Sequence, residues 1–161
     1  MDVLYFAWVR ERIGVPKERI ETGATTVAEL VDELKAREPR YEAAFADLSA
    51  RWDPDRMDAL LLVVTHARAY NFDGSGDFYM DGSGQLRRKL PGRIAPFIYT
   101  GIQLVSQRLL RDAPEGKFST NILWDRAIAE GRLFGVAFTG QWYEVGTPAH
   151  IRPTEEALRG G

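Results

Sequence analysis

The 161-residue chain contains no cysteine. That excludes disulfides, thiolate metal sites and cysteine nucleophiles together. Histidine is nearly as scarce: His66 and His150 are the only two, and they stand too far apart to show the spacing of a metal-binding pair. An excess of either charge is also missing. Lys and Arg total 21 against 23 Asp and Glu, for a net charge of −2. No basic field is there to attract nucleic acid or an anionic membrane, so neither is expected as a partner. Long apolar runs are absent too. The start, MDVLYFAWVRER, carries Asp2 and lacks the basic lead of a secretory signal. No stretch approaches the ~20 apolar residues of a membrane span. These absences point to the cytoplasm.

What is present suits a soluble globular chain with an ordinary apolar and charged composition. A chain of this length buries roughly 70% of its unfolded surface, enough for a core without staples. Val3 to Val9, rich in branched and aromatic residues, reads as a buried first strand, and Glu18 to Glu21 as a short second one. Thr26 and Glu29 form a capping-box pattern, and Val27, Leu30, Val31 and Leu34 then line one helical face until Pro39. Tyr41 to Leu48 allows a further helical turn or two. Asp53-Pro54 reads as the start of a short helix leading into Ala59 to Val64. That uninterrupted apolar run fits a central strand covered on both faces. Joining it with Val3 to Val9 in one mixed sheet is the economical arrangement, with exposed sheet edges that invite self-association.

Two Asp-Gly-Ser-Gly segments, at 73–76 and 81–84, bracket Asp77–Met80 as turns around a short strand, with Gln85 to Leu90 as hairpin partner. Asp73, Ser75 and Asp77 mimic the first ligands of a calcium loop, but position twelve is Gly84 rather than glutamate, so turns are the better account. Ile94 to Leu104 reads as a strand and Ser106 to Asp112 as a short helix. Ser119 caps a helix that Gly131 ends. Leu133 to Phe138 and Trp142 to Val145 read as strands, and Pro153 delays the last helix to Thr154–Leu158. Both histidines are expected at the surface. Strands alternate with helices throughout, which predicts an α/β fold with a mixed sheet and flanking helices.

Two resemblances divide the chain into units over 1–50 and 51–161. The opening VLYFAWVRERIGV and TTVAELVDEL resemble the small subunit of molybdopterin synthase, a β-grasp sulfur carrier. The resemblance covers the first hairpin and main helix and implies a partial β-grasp unit. That family works through a C-terminal Gly-Gly, adenylated and converted to a thiocarboxylate. This chain carries Gly160 and Gly161, so an adenylating enzyme is the implied partner of a carrier tail.

From Trp52, the segments WDPDRMDALLLVV, GDFYMDGSGQLRR, APFIYTGIQLVSQRLL, FSTNILWDRAIAEGRLFGV and WYEVGTPAHI resemble sugar-1-phosphate nucleotidyltransferases of the N-acetylmuramate-1-phosphate uridylyltransferase type. Their order implies the second half of a Rossmann-like nucleotidyltransferase fold. The family's Gly-rich phosphate loop with its basic residue, and its first Mg²⁺-binding aspartate, have no counterpart before Trp52. In the retained part, Glu144 of WYEVGT stands where the family places its second metal ligand, which implies Mg²⁺ as cofactor. Thr100 and Gly101 match the family's sugar-contacting turn, and Asn121 and Asp125 on the following helix are expected to face the same cleft. The resulting expectation is sugar-1-phosphate binding, with little or no transfer from a nucleoside triphosphate unless a partner completes the site. A sulfur carrier and a fusion without selected function are the alternatives.

Overall fold

The computed structural model describes residues 2–4, 17–19, 42–111, 113–116 and 118–159. In chain order the elements are β1 (Asp2–Leu4), β2 (Lys17–Arg19), α1 (Glu42–Arg51), β3 (Ala59–Thr65), β4 (Ala69–Tyr70), β5 (Phe78–Met80), β6 (Leu86–Arg88), β7 (Phe97–Val105), α2 (Gln107–Leu110), α3 (Asn121–Ala129), β8 (Leu133–Ala137), β9 (Trp142–Tyr143) and α4 (Ile151–Arg159). Single 3₁₀ turns precede β4 and α4, at His66–Arg68 and Pro148–His150. The expected helix at 26–34, the rest of the first strand, and Gly160 and Gly161 lie outside the described residues.

The apolar run becomes β3, buried from Ala59 to Val64. It is an inner strand of a five-stranded mixed sheet ordered β6-β5-β7-β3-β8, antiparallel to β7 and parallel to β8. Alternation sends its side chains to opposite faces. Ala59, Leu61 and Val63 pack with Leu109 of α2 and with Leu123, Trp124 and Ala127 of α3. Leu60 and Leu62 pack with Met57, Phe134, Val136 and Leu48 of α1. Leu48, fully buried, thus brings a helix from the first segment into the core of the second. The mixed α/β class and the two-sided central strand are as expected. The single sheet is not: β1 pairs with β2 antiparallel in a ladder of its own.

The Asp-Gly-Ser-Gly turns behave as read. Phe78–Met80 and Leu86–Arg88 form the antiparallel hairpin, and the turn between them reaches across to β8, where the Gly135 amide donates to Gly84 O at 2.9 Å. Part of the β8 edge is thereby covered. The turn is tightened by Asp81, whose carboxylate accepts from the Ser83 and Gln85 amides and the Ser83 hydroxyl.

Other elements depart from expectation for local reasons. Asp53-Pro54 opens one hydrogen-bonded turn, closed by Met57 N–H to Asp53 O at 2.8 Å, because β3 begins too soon for a helix. The strand expected from Ile94 starts at Phe97. Pro96 has no N–H to give a ladder, and Ile94 is exposed. The last helix starts at Ile151 and includes Pro153, which falls in the first turn, where an amide has no helical acceptor to lose. Ser119 does serve the start of α3, its hydroxyl accepting from the Asn121 amide at 3.3 Å. That helix ends with Gly131 N–H on Ile128 O and Arg132 N–H on Ala127 O, the paired bonds of a Schellman motif.

Candidate functional site

Parallel strands that end side by side present their carboxyl ends as a crevice, where ligands of α/β sheets usually bind. Here β3 and β8 are the parallel pair, and each is extended past its end by a short strand. Beyond β3 lies β4, beyond β8 lies β9, and these two pair in parallel, Ala69 with Trp142 and Tyr70 with Tyr143. Trp142 is buried and packs with Val64 and Ile98, while Ala69 and Phe72 close over the same cluster. The ladder therefore stands on the core.

Glu144 follows directly. Its amide donates to Tyr70 O at 2.9 Å, so the last bond of the ladder fixes its backbone. The carboxylate folds back over Gly146, where a Cβ would stand only 2.5 Å from Glu144 Oε1. A glycine two residues on is what lets the half-buried carboxylate adopt this position.

On the β3 side, His66 Nε2–H donates to Ala95 O at 2.9 Å, and the ring packs at 5.8 Å from Phe72. His66 is half-buried rather than the surface residue expected. His150 is likewise drawn inward: its Nδ1 is buried without a partner, and its carbonyl accepts from Thr154, which in turn accepts from Asn71 at 2.9 Å. That chain docks α4 against the residue after β4.

Thr100 and Gly101 lie within β7 rather than in a turn. The β3–β7 register passes from Leu61↔Gln103 to Val63↔Tyr99, so Thr100, Gly101 and Ile102 bulge opposite Leu62. Gly101 takes φ +94° there, open to glycine and costly for other residues. The Thr100 hydroxyl is buried and donates to Leu62 O at 2.9 Å, across the bulge.

Asn121 and Asp125 share an exposed face of α3, one turn apart, and converge on Arg88 of β6. Arg88 Nε donates to Asp125 at 2.7 Å, and its Nη2 reaches Asn121 Oδ1 and O, both at 3.1 Å. The guanidinium lies 5.2 Å from the Phe78 ring centroid and 5.4 Å from that of Trp124. Tyr99 completes this aromatic group at 4.8 Å from Trp124, and burial pushes its hydroxyl well above the usual phenol range. Trp124 Nε1 donates to Gln103 at 2.9 Å. The expected single cleft therefore separates. Ile98, Ile102 and Leu104, on alternate positions with Thr100, pack away from α3, whereas Asn121 and Asp125 ride on α3 over the opposite face. Arg88 was not anticipated. The alternation Leu86-Arg87-Arg88 held the signal, since Arg88 must share the face of buried Leu86.

Among the described residues, no three His, Asp or Glu side chains converge to hold a metal ion. Mg²⁺ asks for an octahedron of oxygens. Glu144 alone does not meet that need, so the residues described do not make a metal site by themselves.

Comparison with known proteins agrees with the two segments read from the sequence. Residues 3–57 match the ThiS family. The chain is also 39% identical over 106 residues, 66% of its length, to N-acetylmuramate alpha-1-phosphate uridylyltransferase of Caulobacter vibrioides. It spans 44% of that relative's length. The chain thus joins a segment that matches the ThiS family to a stretch similar to part of an N-acetylmuramate alpha-1-phosphate uridylyltransferase.

Proposed function

We propose that this chain supplies the sugar-phosphate side of a sugar-1-phosphate nucleotidyltransferase, as a cytoplasmic protein with little or no transfer activity by itself. The observation that carries the reading is the position of Glu144. It lies just past the carboxyl ends of the parallel pair β3 and β8, in the WYEVGT segment of a chain 39% identical to a uridylyltransferase over 106 residues. On this reading the five-stranded sheet is half of a Rossmann-like fold, and the ThiS match extends to a β-grasp unit. Thr100 and Gly101 shape the wall beside Leu62, while Asn121 and Asp125 act by holding Arg88.

Transfer of a nucleotidyl group requires donors aimed at the triphosphate and enough oxygens around Mg²⁺ to neutralise the developing charge. Glu144 offers one carboxylate. On this reading the nucleotide phosphates supply further oxygens to the ion, and the donors come from groups beyond the described residues, a second chain among them. Release of pyrophosphate from UTP and a sugar-1-phosphate tests the reading. The chain alone is expected to turn over at background level while still binding the sugar phosphate in a calorimeter. Robust turnover without another protein would overturn it.

The ThiS match at residues 3–57 favours a second reading, a sulfur carrier acting through Gly160 and Gly161. On that reading an adenylating enzyme captures the full chain and releases one lacking the two glycines. Equal capture of both removes the carrier role.

A further inference from the structure

The β4–β9 ladder sets two tyrosines side by side next to Glu144. Tyr70 and Tyr143 are register partners, with rings 4.9 Å apart and inclined by only 19°. Gln141 ties their hydroxyls together. Tyr143 O–H donates to Gln141 Oε1 at 2.9 Å, and Gln141 Nε2 donates to the Tyr70 hydroxyl at 3.3 Å. A hydroxyl that accepts still has its own proton to donate, so the bond from Gln141 leaves Tyr70 O–H able to serve another acceptor. Tyr70 is 40% exposed although its partner ring is half-buried. An open aromatic side chain, an orienting hydroxyl and a carboxylate thus come from adjacent strand ends.

We propose that Tyr70, braced by Tyr143, is the wall on which the pyranose ring of the sugar phosphate lies. The proposal rests on the sugar-phosphate reading above and adds a subsite to it. One face of a pyranose is a patch of C–H bonds whose hydroxyls point outward around the rim. Laid on a tyrosine ring, that patch leaves water against the negative face of the π-system, while the rim hydroxyls keep their hydrogen bonds. Tyr70 O–H is the donor within reach of such a rim. Stacking on Tyr143 and the clamp of Gln141 hold the ring still before the sugar arrives, which lowers the ordering cost of binding.

Calorimetry on the full chain with α-D-glucose-1-phosphate, inorganic phosphate and uridine tests this, using the wild type, Tyr70→Leu and Tyr70→Phe. Tyr70→Leu is expected to weaken glucose-1-phosphate binding roughly three- to tenfold and to leave inorganic phosphate binding unchanged. Tyr70→Phe, which keeps the ring, loses less. Saturation-transfer NMR on the wild type needs no variant: irradiating aromatic protons should carry saturation to the pyranose ring protons. An unchanged affinity in Tyr70→Leu, an equal loss for inorganic phosphate, or no transfer to the sugar overturns the wall and leaves sugar-phosphate binding standing. Selective loss of uridine binding assigns the wall to a base and overturns the pyranose claim. A wild-type chain that binds no glucose-1-phosphate ends both the wall and the reading beneath it.

Discussion

Asp58 and Arg132 meet twice. The Asp58 amide donates to Arg132 O at 2.9 Å, and Arg132 Nε donates to the Asp58 carboxylate at 3.1 Å. The Schellman end of α3 delivers Arg132 to this point, at the start of the parallel pair β3–β8. A second arginine, Arg108, reaches the same carboxylate from α2 with Nε at 2.7 Å and Nη2 as well. The Asp58 side chain is 3% exposed against 23% for Arg132 and 46% for Arg108, so the buried anion depends on two cations that keep partial contact with water.

Replacing Asp58 by Asn should therefore cost stability. Burial raises the Asp58 carboxyl, but the hydrogen bonds and charges of Arg108 and Arg132 outweigh it and hold the group below the ordinary 3.8. A carboxylate with a depressed folded pKa stabilises above its unfolded value, and that contribution is lost as pH falls through the folded value. Urea unfolding at pH 7 should place Asp58→Asn about 2–4 kcal/mol below wild type, and the gap should narrow below pH 3.8. A gap that stays constant down to pH 2 contradicts the assignment.

Leu48→Ala examines whether α1 belongs to the core of the second segment. Leu48 is fully buried against Leu60, Leu62, Phe134 and Val136. Truncation should lower stability by about 2–5 kcal/mol, within one cooperative transition that also unfolds the five-stranded sheet. Near-native melting of that sheet in the variant would show α1 to be dispensable.

Arg88 and Asp125 form an exposed pair, 33% and 61% open to solvent, so their coupling should be small. A double-mutant cycle with alanine is expected to give about 0.2–1 kcal/mol, decreasing with added salt. Arg88→Ala alone should cost more, about 1–2 kcal/mol, because it also removes the guanidinium that lies over the Phe78 and Trp124 rings. A coupling well above that range means the pair is shielded in solution.

Gly101→Ala should destabilise by about 1–3 kcal/mol, since an alanine must take φ +94° or flatten the bulge. Hydrogen exchange would localise the effect. Amides of β3 and β7 beside Leu62 should lose protection first, whereas uniform loss across the sheet would argue that the bulge is not the strained point.

Much of the fold was legible because its causes are short-range. The paired Asp-Gly-Ser-Gly turns forced a hairpin, the unbroken apolar run at 59–64 demanded cover on both faces, and Ser106, Ser119 and Gly131 marked helix ends where they occur. The candidate site was less legible. Glu144 could be picked out from its segment, but its neighbours Tyr70 and Gln141 could not, because β4 and β9 meet only after β3 and β8 have paired. Thr100 and Gly101 were matched to a turn because a sequence does not display the bulge that keeps them inside β7. The convergence of Asn121 and Asp125 on Arg88 could not be read, because Arg88 is 33 and 37 residues away from them.

Sequence alone determined the α/β class, the two-sided central strand, the turns and the two resemblances, all of which depend on local propensity, periodicity or order along the chain. Tertiary structure decided that α1 completes the second core, that β1 and β2 form their own ladder, and that Asp58 sits between two arginines. The last of these joins groups 50 and 74 residues apart. Such pairings have no periodicity to read, and burial decides them only when the sheet has closed around them.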